Sequence, residues 1–428
     1  MSLYRFKPWL AAWACVFLMG APAFAQEVPN SQLPDGQLLD PHPPGQFGGG
    51  VAPNEGYFFT YDALNLFISH PAVTSIGAPG LTRQVFFAPS KSTVQSNSLD
   101  TSFLGNDWVW GSRFEIGDIV EHCGWMLGYY NMRVQSQMRD FEGVVMTIDD
   151  REFGPANQRH LDGWLAELDA AGDTVFSATP LPLPLSFDTM HVENIVDTWS
   201  VEWMFMYRTH PLGFYRSTLA EMYFGVRYLE FEDRFHVQGR GVRLRNQGGD
   251  FAEPATILSD SDWRNDAFNR VVGPQLGLRL FTRRGRWTFS AEGRFLAGFN
   301  FQTVRQRGVL GTHLNEVPTT GDGGTIATGP GNIISGIPAA IGPTYFTHGF
   351  DANEFSPCVE FRADARVHIT RGLAFRAGYT AVWIDGLARG SDMIDYVWSE
   401  TTVFGIRQDT NRQAVFMNGL SLGLEFNR

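Results

Sequence analysis

Lysine is nearly missing from this chain of 428 residues. Lys7 and Lys91 are the two, and arginine supplies the rest of the positive charge. The formal net charge is −12, and it falls to −14 if Arg5 and Lys7 leave with the leader described below. That balance lacks the positive footprint that phosphate-backbone binding requires, so nucleic acid is not an expected partner. Cysteine is scarce too. Beyond Cys15 there are Cys123 and Cys358, too few to staple an exported chain of this length, and the sequence leaves their pairing open. After the first 25 residues no run of eighteen apolar side chains occurs, which excludes a spanning helix. The ten histidines are scattered, with neither H-E-x-x-H nor EF-hand spacing, so no metal, cofactor or catalytic residue is expected. Gly419-Leu420-Ser421-Leu422-Gly423 matches G-x-S-x-G. A hydrolase nucleophile needs a strand-to-helix elbow, whereas here leucines alternate with small residues as in a strand.

What remains is aromatic and glycine-rich. Phe, Tyr and Trp make up 14% of the chain, with twelve Trp, twelve Tyr and 46 Gly. Met1–Ala25 reads as an export signal: Arg5 and Lys7, an apolar run from Trp9 to Met19, then Ala23-Phe24-Ala25 before Gln26. Residues 26–55 are rich in Pro and Gly without periodicity, and read as a flexible segment.

The clearest pattern lies between Phe355 and Trp383. Phe355, Pro357, Val359, Phe361, Ala363, Ala365, Val367 and Ile369 alternate with Ser356, Cys358, Glu360, Arg362, Asp364, Arg366, His368 and Thr370. Side chains alternate across a strand, so period two over sixteen residues separates an apolar face from a charged one. Thr370-Arg371-Gly372 reverses the chain, and Leu373, Phe375, Ala377, Tyr379, Ala381 and Trp383 form the next apolar face. A charged face whose sign alternates, behind a face of small and aromatic residues, is the pattern of a barrel wall with lipid outside.

The same alternation recurs along the chain. Strands are expected at Tyr57–Ile68, Trp108–Ile119, Trp125–Met138, Ile195–Arg208, Tyr215–Phe231, Ala267–Thr282, Trp287–Val304, the two of the hairpin above, and Val415–Phe426. Between them fall long links at Ser69–Asn106, Phe141–Glu193, Glu232–Asp262, Gln306–Glu354 and Leu387–Gln413. Within the second link, Leu161–Ala171 has the spacing of a short helix, and Pro180-Leu181-Pro182-Leu183-Pro184 is excluded from a central strand. Long and short links alternate throughout. The expected fold is all-β: residues 56–428 form a closed antiparallel transmembrane β-barrel of about ten strands, range roughly eight to fourteen, with short periplasmic turns and long external loops. In lipid an open sheet edge is too costly, so the barrel must close.

By this parity the expected lumen-lining set is Asp62, Arg113, Glu115, Glu202, Arg208, Glu221, Arg227, Arg279, Glu292, Arg294, Glu360, Arg362, Asp364, Arg366, Arg376 and Glu425. Trp199, Trp203, Phe205, Phe361, Phe375, Trp383 and Phe426 are expected to face lipid. Eight acids balance eight arginines. The set reads either as a constriction that selects solutes or as a salt-bridged plug that stiffens a narrow barrel.

Asn269-Arg270-Val271-Val272-Gly273-Pro274-Gln275-Leu276-Gly277-Leu278, followed by Gly285-Arg286-Trp287, resembles a recurring segment of a bacterial β-barrel porin family. So do Gly225-Val226-Arg227-Tyr228, Gly378-Tyr379-Thr380-Ala381-Val382-Trp383 with Arg389, and Asn418-Gly419-Leu420-Ser421-Leu422-Gly423-Leu424. The resemblance implies an outer-membrane barrel, and it implies no substrate and no catalytic residues. The expected partners are outer-membrane lipid and small solutes. Three readings stay open: a small-solute porin, a closed barrel that works through its loops as scaffold, adhesin or receptor, and a hydrolase at the rim.

Overall fold

The computed structural model describes residues 56–77, 83–87, 93–150, 166–168, 174–176, 183–209, 218–240, 260–310, 344–370, 372–398 and 403–427. The expected signal, the segment 26–55 and the centres of several long links lie outside them.

Twelve strands build the wall: β1 (Gly56–Ile68), β2 (Asp107–Val120), β3 (Cys123–Asp150), β4 (Leu183–Arg208), β5 (Thr218–Arg240), β6 (Ser261–Arg284), β7 (Trp287–Leu296), β8 (Phe299–Leu310), β9 (Thr344–Phe355), β10 (Cys358–His368), β11 (Leu373–Leu387) and β12 (Gln413–Asn427). Apart from β7 with β8 and β9 with β10, each strand pairs antiparallel with the next in sequence, and β1 pairs with β12, which closes the ring. β7 and β8 run on from one another along β6, the first pairing with Gln275–Arg284 and the second with Asp262–Val272. β9 and β10 likewise form one stave, so the closed barrel has ten.

The two breaks fall at one height and have one cause. Pro274 has no N–H to give the ladder, and its carbonyl accepts from Ala297 N at 3.0 Å instead. Gly298 O then accepts from Ser356 N, and Pro357 O from Asp385 N. A Cβ at Gly273 would stand 2.0 Å from Ala297 O, and one at Gly298 2.4 Å from Ser356 O, so only glycine allows these approaches.

Several strands are longer than the alternation alone suggests. β3 and β4 pair as far as Ile148 and Leu183, so much of the expected Phe141–Glu193 link is wall. β8 continues to Leu310, and β9 begins at Thr344, inside the expected Gln306–Glu354 loop. Pro184 sits within β4, opposite Thr147. β5 joins β4 only from Thr189 onward, so Pro184 lies on an edge and not in a central strand, where its missing donor breaks no ladder. The expected short helix in Leu161–Ala171 is not what its described residues form: Ala166–Leu168 is extended and pairs with Thr174–Phe176.

The staves are therefore unequal. β1, β2, β11 and β12 have 13 to 15 residues, whereas β3 to β6 have 23 to 28. The long ones rise as a wall beyond the short ones at the loop end. Two loops fill the space this leaves. One, 69–106, carries the hairpin strands Arg83–Phe87 and Thr93–Ser98, which adds to β3 through Arg83–Val145 and Gln84–Val144. The other, 388–412, folds inward. Ile76, Leu99, Ile394, Tyr396, Val403 and Phe404 from these loops pack on Phe141, Val144, Met146, Phe187, Met190, Val192, Phe235, Val237 and Trp263 of the wall. The expected loop at Leu387–Gln413 is thus an interior element, not a free external one.

Outside the ring the side chains are apolar and uncovered. Trp203, Phe205, Phe361, Phe375, Trp383 and Phe426 are all exposed, Trp203 by 39% and Phe361 by 48%. Trp199 is half-buried against Tyr228, their rings 5.3 Å apart.

Candidate functional site: the barrel interior

Period two places every second side chain of each stave inside the ring, so charges far apart in sequence meet across the bore. Arg113 of β2 gives Nη2 to Asp62 of β1 at 2.7 Å. Arg227 of β5 reaches Glu360 of β10 at 2.7 Å and Ser200 of β4 at 3.1 Å. Arg362 of β10 reaches Glu115 of β2 at 2.5 Å, and also its neighbour Glu360. Arg294 of β7 holds three carboxylates, Glu202 and Glu292 closely and Glu115 at 3.2 Å. Arg279 bridges Glu292 and Glu221, and Arg208 closes on Glu221 at 2.6 Å. Toward the turn end Arg366 joins Asp364 and Glu425, and Arg376 joins Asp364 and Asp62.

Followed from partner to partner, all sixteen charged residues named from sequence form one connected network. Their exposure runs from 0% at Glu425 to 6% at Glu202, with Asp364 alone in an intermediate class and its side chain only 7% exposed. A water-filled bore would leave its lining groups wet. These groups are dry, and each is bonded to an opposite charge.

The alternation of charges missed the neutral members. Tyr223 gives its hydroxyl to Glu221 at 2.6 Å and lies under the guanidiniums of Arg279 and Arg294 at 5.3 and 5.5 Å. Gln275 gives Nε2 to Glu202 at 2.7 Å. Both share the inward parity of the charges and were readable on that ground.

Above the network lies a buried apolar layer that includes Leu64, Leu66, Tyr130, Met132, Leu229, Phe231, Val382 and Met417. Above that, the inward segment 388–412 crosses the bore as a strap. It is held by amide side chains of the wall. Asn269 gives Nδ2 to Ala388 O at 2.9 Å and takes Ala388 N on Oδ1 at 2.8 Å. Asn265 binds Gly390 O at 2.7 Å, and Asn300 and Gln302 bind Gly386 O. Gln302 and Asn411 also exchange bonds at the strap's far end. Arg389 is 1% exposed, bonded to Asp233 and stacked 5.3 Å over Phe231. Burial pushes the Asp392 carboxyl above its ordinary value, against a hydrogen bond from Gln413 that lowers it. At the top Phe404, with φ of 55°, inserts its ring edge-on to Trp263, Phe346 and Tyr396. A bulky residue in that conformation costs roughly 1–3 kcal/mol, which the complete burial of its ring offsets.

Gly419–Gly423 lies within β12, paired on one side with β1 and on the other with β11, so Ser421 is on no elbow. Among the described residues no group of three or more His, Cys, Asp or Glu is placed to hold a metal ion. Cys123 and Cys358 are both free.

Residues 200–427 match the model of a family described as "Putative beta barrel porin-7 (BBP7)". No curated protein matches the chain. Among solved structures it is similar to the outer membrane protease OmpT from Escherichia coli, at 7% identity over 87% of this chain and 97% of that one, with a TM-score of 0.36. It is also similar to a FadL homologue of Pseudomonas aeruginosa (7% identity, 89% and 96% covered, TM-score 0.22). A mutant of the TodX monoaromatic hydrocarbon channel matches at 8% identity, with 88% and 91% covered and a TM-score of 0.21.

Proposed function

The chain belongs to this β-barrel porin family, and we propose that it is a closed barrel of the outer membrane, a membrane-embedded base for the packed cap at its loop end. The observation that carries this reading is the sixteen-residue network, dry and charge-balanced across the bore. An ion entering it would have to displace a guanidinium or carboxylate from a buried partner, and breaking such a pair costs about 3–5 kcal/mol. Perfect balance favours internal pairing over selection of one ion sign. On this reading the outward apolar side chains, Trp199, Trp203, Phe205, Phe361, Phe375, Trp383 and Phe426 among them, face lipid, and the cap faces outward from the cell. The chain works as a surface scaffold or receptor and not as a hydrolase.

Planar-bilayer recording of the purified protein tests this. The expected result is silence at all voltages, and steady stepwise currents would overturn it. A second reading, a gated path for small solutes, draws on one feature. Beside its apolar packing, the strap is fastened to the wall by exchangeable amide hydrogen bonds from Asn265, Asn269 and Gln302. It predicts that removing 388–411 gives current. The closed-barrel reading predicts silence even then, because the charged network still fills the bore below.

A further inference from the structure

On the outer face of the long wall the apolar belt ends and charge begins. Along β8 the outward side chains run Phe299, Phe301, Thr303, Arg305 and Arg307 toward the loop end, and along β6 Val272, Arg270, Phe268, Asp266 and Arg264. Most of these charges are paired: Arg305 with Asp351 at 3.1 Å, Arg264 with Asp266 at 2.5 Å, Arg234 with Glu232. One row stacks three basic side chains, two of which already hold a carboxylate. His236, Arg264 and Arg307 stand in direct register on β5, β6 and β8. Like charges directly opposite on a sheet destabilise it. Arg307 makes no ion pair among the described residues, and Arg264 commits its Nε to Asp266. Asp262, the carboxylate beside them, is taken up by His236 at 3.1 Å and Gln238 at 3.2 Å.

The row lines a recess of about 620 Å³ together with Asp262, Thr347 and Tyr345, the last 76% exposed. That volume is within the range of small-ligand sites, roughly 300–1,000 Å³. Its height identifies the ligand class. On β8 six residues separate Phe301, the uppermost outward aromatic of that strand, from Arg307. At about 3.4 Å per residue and a tilt near 40°, the Arg307 backbone stands roughly 16 Å above it. A simple phospholipid headgroup layer is only about 5–7 Å deep.

We propose that this recess holds a phosphate of a phosphorylated glycolipid from the surrounding leaflet. Arg264 and Arg307 grip the phosphate from adjacent strands, as paired guanidiniums suit its oxygens. Thr347 offers a hydroxyl, and Tyr345 a flat face for a sugar. The bound anion relieves the repulsion built into the row. This rests on the reading that the apolar belt faces lipid.

The test uses full-length protein in detergent, with native mass spectrometry against lipid A and its dephosphorylated form. Wild-type protein is expected to retain lipid A at least about tenfold better, with Arg264→Gln/Arg307→Gln losing that preference and Arg305→Gln keeping it. Equal retention by wild type and the double variant overturns the proposal. So does displacement of lipid A by millimolar inorganic phosphate, or equal retention of phosphatidylglycerol. Flotation with liposomes separates the two readings. Wild-type protein that floats yet shows no preference sinks the site alone, and protein that fails to float sinks the lipid-facing belt beneath it.

Discussion

Replacing Arg294 by alanine measures whether the bore is dry. Arg294 is 3% exposed and bonded to Glu115, Glu202 and Glu292. Its loss does not fall evenly on the three. Glu115 keeps Arg362, and Glu292 keeps Arg279. Glu202 loses its ion pair and keeps the Gln275 amide as its hydrogen-bond donor among the described residues, with Arg227 and Arg362 near but unbonded to it. An acid stripped of its cation in a dry interior costs about 3–5 kcal/mol. The reference is Arg305→Ala, which breaks the Arg305–Asp351 pair, with side chains 48% and 65% exposed. An exposed pair is worth at most about 1 kcal/mol. Denaturant unfolding of the detergent-folded proteins, followed by tryptophan fluorescence, should therefore show a cost at least about threefold larger for Arg294→Ala. Adding Glu202→Gln to Arg294→Ala should return part of the loss, because it removes the orphaned charge. Equal costs at the two arginines, with no rescue by Glu202→Gln, would mean that water reaches the network and that the closed-barrel argument is wrong.

Three further outcomes follow from the same contacts. Asn269→Ala removes both bonds to Ala388, about 1–3 kcal/mol in a buried setting, and should make 388–412 the first site of limited proteolysis while the barrel stays folded. Gly423→Ala would bring a Cβ to 2.1 Å from Asp62 Oδ1 and 2.3 Å from Tyr61 O. It should cost roughly 1–3 kcal/mol by denaturant titration, and Ser421→Ala in the same motif close to nothing. Because burial raises the Asp392 carboxyl, its charged form is disfavoured in the fold. Stability is then fully present below the ordinary carboxylate value and declines as pH rises through the raised one; Asp392→Asn should flatten that declining part of the denaturant-midpoint profile.

Strand identity and parity were readable from alternation because each stave has one face against apolar surroundings and one against charge. From Asp62 to Glu425 the inward set follows from counting by two, and a slip of one residue would have turned all of it outward. The ends of the staves were not readable in the same way. Beyond Tyr228 on β5 the inward residues are Leu229, Phe231, Phe235 and Val237, while the outward ones include Glu230, Arg234 and His236. Polarity exchanges faces there, because the inside of the wall has become the cap's core. A rule that seeks apolar side chains outside stops at that exchange and reads a loop. That is why Phe141–Glu193 and Glu232–Asp262 looked like links.

The strap escaped for a related reason, yet its docking site left a mark. Moving up the inward face of β6 and β8, charge gives way to Asn269, Asn265, Asn300, Gln302 and Gln306, all fully buried. A carboxylate or guanidinium on one stave finds its partner on another stave's side chain. An amide carries both a donor and an acceptor, which is what a strand of foreign backbone presents in return. Buried amides in consecutive inward positions thus mark where a second piece of chain must lie against the wall, since left alone each would cost about 1–3 kcal/mol. Asn300 and Gln302 meet Gly386 at the end of β11, and Asn265 and Asn269 meet the segment after Leu387, where Ala388, Gly390 and Ser391 are small enough to approach and Arg389 supplies the counter-charge to Asp233. Amides facing inward at the height where charge stops therefore distinguish a barrel closed by its own chain from one left open to water.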